Sequence, residues 1–133
     1  MSGSDFYGEL RLVPNSRKYW DFIRELRNHR AVQSGFITKS NISEEQQKDY
    51  MSKHGECFFI AVHDGVPCGF IGVIEDDIRF CTHPLFQGKR VGTFLLENVR
   101  KHFPNAKGRV KKSNFASIKC FNNAGVPYVL IDD

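Results

Sequence analysis

Hydrophobic and polar positions change their period several times along this chain. "LRLVP" (10–14) alternates and stops at proline, which predicts a short strand. Tyr19, Phe22, Ile23 and Leu26 then recur at helical spacing, with Arg24, Glu25 and Arg27 on the other face. That pattern predicts a helix ending near Arg30, capped by Asn15 or Ser16. "AVQSGFITKSN" (31–41) has little periodicity and reads as a loop. Ser43 before Glu44, Glu45 and Gln46 has the form of a capping box with an acidic first turn, so a second helix is expected over about 44–54.

Two β-rich runs flank Asp64-Gly65, a strong hairpin signal. Pairing through that turn sets Ala61 opposite Cys68. Gly69 and Gly72 in the second strand predict a bulge or a close backbone neighbour. "DIRFCTH" (77–83) is a further strand, joined by a tight turn at Asp76-Asp77 and ended by Pro84. Val91, Leu95, Val99 and Phe103, joined by Phe94, make the buried stripe of a helix expected from about 88 to 103. "GRVKKS" (108–113) reads as a strand. Asn114 caps a short helix to about Asn123, and Gly125 closes it. "VPYVLID" (126–132) is the last strand. The order β-α-α-β-β-β-α-β-α-β joins consecutive antiparallel strands to a strand–helix–strand crossover, the α+β (mixed α/β) class.

With 133 residues, 41% of them hydrophobic, one domain over 9–133 is expected, with 1–8 as a flexible lead-in. No run of about eighteen apolar residues exists to span a membrane. "MSGSDFYGEL" lacks the pattern of a secretory signal, which points to the cytoplasm. The cysteines at 57, 68, 81 and 120 form no CxxC pair and read as buried thiols in a reducing compartment, with no metal site. A net charge of +4 favours anionic ligands. A dedicated nucleic-acid binder usually shows a denser basic stripe than this one. "KGRVKK" (107–112) reads as the solvated side of an edge-like strand, with an adenosine phosphate or RNA as the alternative.

One stretch carries chemistry. In "HPLFQGKRVGTFLLENV" (83–99), Gln87, Gly88, Lys89, Arg90 and Gly92 crowd the start of an apolar helix. A helix N-terminus presents unpaired N–H groups and about half a positive charge, which suits anions. "QGKRVG" therefore reads as a pyrophosphate cradle. Its spacing is neither that of a P-loop nor GxGxxG. The competing reading is that Gly88 and Gly92 only ease a tight turn and close helix–sheet packing.

"THPLFQGKRVGTFLL" (82–96) resembles the acyl-CoA-binding motif Q/R-x-x-G-x-G/A of the GNAT superfamily of N-acyltransferases. Gln87 and Gly92 fit its outer positions, and Arg90 stands where the family most often has glycine. Asn114, Ser117, Phe121 and Gly125 resemble the second motif, N-x-x-A/S-x-x-x-Y-x-x-x-G. The resemblance implies a twisted mixed sheet of about six strands with helices on both faces. It also implies an acetyl-CoA-dependent N-acetyltransferase in which a primary amine, of a small molecule such as an amino sugar or of a peptide, attacks directly.

On that resemblance, the strand at 78–83 splays from the one at 109–112. The pantetheine arm would pair near Cys81, Thr82 and His83, bordered by Asn114, Ser117 and Phe121. The diphosphate would sit on Gly88, Lys89, Arg90, Val91, Gly92 and Thr93, beside Gln87. A backbone N–H near Cys81 or Thr82 would stabilise the oxyanion. Asp77 matches the family's carboxylate base, with Glu75 as alternative; otherwise 75–77 form a solvated acidic turn. Phe121 replaces the tyrosine that often protonates the leaving thiolate. A water, Tyr128 or His83 would have to substitute, or the thiolate leaves unprotonated. The acceptor would meet the first two helices and the 31–43 loop, with Arg30, Gln33, Phe36 and Lys39. Many relatives carry a further strand after the one at 126–132, so either a partner subunit in a homodimer covers that edge or the sheet is smaller. Two rival readings are a non-catalytic acyl-CoA-binding module and a basic RNA-binding α/β domain.

Overall fold

The computed structural model describes residues 10–33, 36 and 41–133, with Gln33 through its backbone alone. The expected lead-in over 1–8 and Lys39 lie outside the described residues. The elements, in chain order, are β1 (Leu10–Pro14), α1 (Trp20–Asn28), α2 (Arg30–Gln33), α3 (Glu44–His54), β2 (Phe58–His63) and β3 (Val66–Ile74). There follow β4 (Asp77–Thr82), α4 (Val91–Val99), β5 (Gly108–Lys111), α5 (Phe115–Ala124) and β6 (Tyr128–Ile131). β1 to β4 form an antiparallel sheet in sequence order, and β5 pairs with β6 in parallel across the α5 crossover.

Alternation along the strands divides the interior in two. Ala61, Ile71, Val73 and Ile78 pack on Leu95, Leu96, Val99 and Phe121 beneath α4 and α5. Phe58, Ile60 and Phe70 pack on Ile23, Leu26 and Met51 beneath α1 and α3. α3 carries the expected capping box: the Ser43 hydroxyl accepts from Gln46 N at 3.1 Å, and Gln46 Oε1 accepts from Ser43 N at 2.9 Å. Buried Gln47 ties α3 to α1 by donating to the Trp20 carbonyl at 2.7 Å. Asn28 grips Ile42 in both directions, at 2.9 and 2.7 Å, and so fixes the two ends of the 29–41 segment.

Several boundaries differ from the sequence reading. Neither Asn15 nor Ser16 caps α1 with its side chain; Asn15 donates to the Gly55 carbonyl, and a 3-10 turn at Arg17–Tyr19 precedes the helix. α1 ends at Asn28, because His29 is extended, and the short α2 replaces part of the expected loop. Ala61 pairs with Gly69 rather than Cys68, because a bulge shifts the register between Ala61 and Val62. The bulge leaves the Cys68 thiol directed at the Ala61 carbonyl, 3.3 Å away. The next turn centres on Glu75 and Asp76, both at positive φ, so Asp77 opens the strand instead of making the turn. α4 starts at Val91 rather than 88, since Gly88 (φ +79°) and Arg90 (φ +65°) cannot sit inside a right-handed helix. It stops at Val99; Phe103 still packs against the core.

Candidate active site

β4 and β5 meet at one point and then part. Ile78 N donates to the Lys107 carbonyl, and Lys107 N to the Asp76 carbonyl, each at 3.0 Å. Beyond this isolated bridge at Asp77 and Lys107, no backbone hydrogen bond joins the two strands among the described residues. Each strand is held on its other side, β4 by β3 and β5 by β6. Phe80 and Phe121 stand edge to face at 5.6 Å between them. The outcome is a wedge-shaped opening at the outer edge of β4.

The α4 N-terminus closes one end of this wedge. A 3-10 turn at Pro84–Phe86 leads in, capped by His83, whose Nδ1 accepts from Leu85 N at 3.1 Å. Gly88 and the N-cap Arg90 then turn the chain through left-handed conformations, and no side chain caps the helix. Phe94 N is the first to bond back, to Arg90 O at 3.0 Å. The N–H groups of Val91, Gly92 and Thr93 have no acceptor within the helix itself. A cavity of about 620 Å³ opens onto this turn, and a side chain at Gly88 would meet nothing within 4 Å. The donors, the glycine and the open space fit a diphosphate.

The residues expected at the cofactor divide as follows. Cys81, Thr82, Gln87, Gly88 and Arg90 line the larger cavity. So do Val91, Gly92, Thr93, Asn114 and Ser117. His83 and Lys89 do not line it, and Phe121 lines a second cavity instead. Gly92 has a packing role: a Cβ there would come within 2.8 Å of Cys120 Sγ and 3.2 Å of Phe80, so its bareness admits α5. Asn114 caps α5 by accepting from Ser117 N at 3.2 Å while facing both cavities. Arg90 explains the glycine of the family motif, since its φ of +65° is one that glycine adopts without strain. Burial pushes the Cys81 thiol up to about 12 against the partial opposition of Arg27, so it stays protonated and is no nucleophile.

The second cavity, about 270 Å³, lies at the other end of the wedge. Asp77 lines it in a two-pronged pair with Arg109: Nε to Oδ1 and Nη2 to Oδ2, both 3.1 Å. Arg79 Nε stands 3.7 Å from the same carboxylate, and its Nη1 donates to the Tyr50 hydroxyl at 3.0 Å. Glu75 is exposed in the preceding turn and lines neither cavity. Phe121 is 2% exposed, wedged between Phe80 and Tyr128. The Tyr128 hydroxyl is bonded to Asn122 Oδ1 at 3.0 Å and lines neither cavity.

Sequence reading missed Arg27, Arg79 and Arg109 as site residues. The signal for Arg79 was present, since period-two alternation puts it on the face of Asp77 and Cys81. Arg27 sits four residues after buried Ile23, on the inner side of α1. The Asp77–Arg109 pair spans 32 residues and leaves no local trace. Phe36 lines both cavities, as expected of the acceptor side, whereas Arg30 lines neither.

Among curated proteins, none matches the sequence. Solved structures do match the fold. Spermidine N-acetyltransferase from Vibrio cholerae, solved with CoA and spermine, superposes with a TM-score of 0.76 at 18% identity, over 89% of this chain and 80% of that one. The structure of yncA from Salmonella typhimurium with its cofactor acetyl-CoA gives 0.73 at 15% identity, over 88% and 79%. The aminoglycoside acetyltransferase AAC(6')-Ib in complex with coenzyme A gives 0.66 at 17%, over 87% and 83%. At such identities these likenesses establish the fold. Residues 20–126, which hold α1, the splayed strands and both motifs, match the acetyltransferase (GNAT) family model, and the chain belongs to that family.

Proposed function

We propose that the chain is an acetyl-CoA-dependent N-acetyltransferase in which a primary amine attacks the acetyl group directly. The observation that carries this reading is that two cavities adjoin along the wedge. The cavity at the α4 turn and the cavity around Asp77 share Phe36, Phe80, Asn114 and Ser117. One end suits a diphosphate, the other a small polar acceptor.

The groups that would hold acetyl-CoA are the N–H donors of Gly88 to Thr93 with Gln87 and Arg90, then the open edge of β4 at Cys81 and Thr82, with Asn114 and Ser117 opposite. When bound, the thioester supplies an activated acyl carbon. Asp77 receives the acceptor's ammonium. Both its oxygens are held by Arg109, yet each keeps a lone pair for a further donor. Arg109 thereby fixes the direction from which the amine arrives. The amine sheds its protons to solvent by way of the Asp77 carboxylate, and the departing thiolate takes one up from solvent, because Phe121 has none to give and the Cys81 thiol keeps its own.

The test pairs binding with turnover. CoA and acetyl-CoA should raise the melting temperature, and acetyl-CoA with amines should release free thiol. A melting point unmoved by saturating CoA removes the reading. A second reading, an acyl-CoA-binding module without turnover, draws support from Phe121 and from the Tyr128–Asn122 bond. It predicts thermal stabilisation with no thiol release for any amine. The RNA-binding alternative predicts salt-sensitive binding to RNA and no protection by CoA.

A further inference from the structure

The departing sulfur needs a partner, and the expected ones are out of place. Phe121 carries no proton, the Tyr128 hydroxyl is bonded to Asn122 Oδ1, and neither Tyr128 nor His83 lines a cavity. The diphosphate fits the larger cavity and the amine the smaller one. The C–S bond that breaks between them lies where the two adjoin, on ground shared by Phe36, Phe80, Asn114 and Ser117. Phe36 and Phe80 are hydrocarbon. Asn114 is engaged as the cap of α5, its Oδ1 accepting from Ser117 N at 3.2 Å. Ser117 brings the only hydroxyl among them.

That hydroxyl is also available. A serine within a helix can donate to the carbonyl four residues back, as Ser52 does to Lys48 at 2.7 Å. Ser117 stands in the first turn of α5, with no helical turn beneath it. Its hydroxyl makes no hydrogen bond among the described residues. The residue is half-buried, so water only partly screens a charge beside it. The first turn of α5 also carries the positive end of the helix dipole, which favours a developing anion.

We infer that the Ser117 hydroxyl is a catalytic residue, donating a hydrogen bond to the sulfur of the leaving CoA as the thioester breaks. This rests on the N-acetyltransferase reading. The C–N bond forms while the C–S bond breaks, and the C–S electron pair stays with sulfur. The sulfur takes the Ser117 proton as the hydroxyl takes one from solvent, which restores the serine. Of the two protons that the ammonium sheds through Asp77, one is matched by this uptake and one remains in solvent. The donor meets charge that appears only as the bond breaks, so it raises kcat rather than lowering KM.

The parent is compared with Ser117→Ala and with Ser117→Thr, which keeps a hydroxyl. The thiol of bound CoA is titrated by its thiolate ultraviolet absorbance, with the desulfo-CoA complex as the blank for the protein's own cysteines. Ser117→Ala should raise that titration by about 1–2 pH units, and Ser117→Thr should stay near the parent. With acetyl-CoA and spermine, kanamycin or a lysyl peptide, Ser117→Ala should lower kcat by about tenfold to a hundredfold, with the amine KM and the melting shift by CoA kept. The titration decides. A bound thiol that titrates alike in Ser117→Ala and the parent overturns the inference whatever the rates, since a fall in kcat alone reports altered packing. A shift that Ser117→Thr shares in full overturns it as well, because the hydroxyl is then not its cause. If CoA binds and no amine reacts, the same titration still decides. A protein that fails to bind CoA defeats the underlying reading instead.

Discussion

Gly108→Ala tests whether the packing around Phe121 sets the shape of the wedge. A Cβ built on Gly108 would lie 2.2 Å from Phe121 Cζ, 2.5 Å from Cε1 and 3.1 Å from Cε2. Carbon atoms pack at about 3.5–4.0 Å, so the ring must withdraw by more than an ångström. It has little room, with Phe80 at 5.6 Å and Tyr128 at 5.4 Å, and it is 2% exposed. Overpacking of this kind costs about 1–3 kcal/mol, offset by roughly 0.4–1 kcal/mol from the stiffer unfolded chain. A net loss of about 1–2 kcal/mol should lower the melting temperature by roughly 4–8 °C for a chain of this size. Urea and thermal unfolding measure it. Phe121→Leu in the Gly108→Ala background should recover part of the loss, a non-additivity that a double-mutant cycle resolves. Gly108→Ala as stable as the parent, or additive with Phe121→Leu, would refute the argument.

Gly88→Ala places a side chain at φ +79° in open space, so it should lose about 1 kcal/mol from backbone strain and also weaken the melting shift produced by CoA; an undiminished shift would detach that turn from the diphosphate. Arg109→Gln should alter stability by no more than about 1 kcal/mol, because the pair is partly exposed, yet raise the acceptor KM with the CoA shift intact. Burial raises Cys68 to about 11 and Cys81 to about 12 from an ordinary 9.0. Above pH 9 the unfolded chain therefore loses these protons first. Their stabilisation is full below that pH and is lost progressively up to pH 11–12, at no more than about 1.4 kcal/mol per pH unit for each thiol. Urea midpoints from pH 8 to 10 should fall less steeply in Cys81→Ala than in the parent, and an equal slope would contradict the burial argument.

What the chain revealed in advance was local. The capping box at Ser43, the Asp64-Gly65 hairpin and the left-handed Gly125 each depend on a few neighbouring residues, and each is found where the pattern put it. Departures arise where distant parts of the chain decide. The hairpin register slips at Ala61 because a bulge there turns Cys68 back onto its partner strand. The helix after Gln87 starts three residues late because Arg90 takes the conformation reserved for glycine in the family motif. Arg27 lies next to buried Leu26, and its place on the wall of the cavity is set by strands fifty and more residues away.

That opening gives β4 two functions from one alternation. Ile78 and Phe80 pack with the core beneath α4 and α5 and form the apolar part of the cavity wall. Asp77 and Arg79, on the alternate face, supply its charged part together with Arg27 and Arg109. A shift of one residue in the β3–β4 register would exchange the two sets and bury the charges under α5. The left-handed pair Glu75–Asp76 sets that register by delivering Asp77 opposite Ile74. This exposed acidic turn therefore acts through position, by deciding which side of the strand receives the carboxylate.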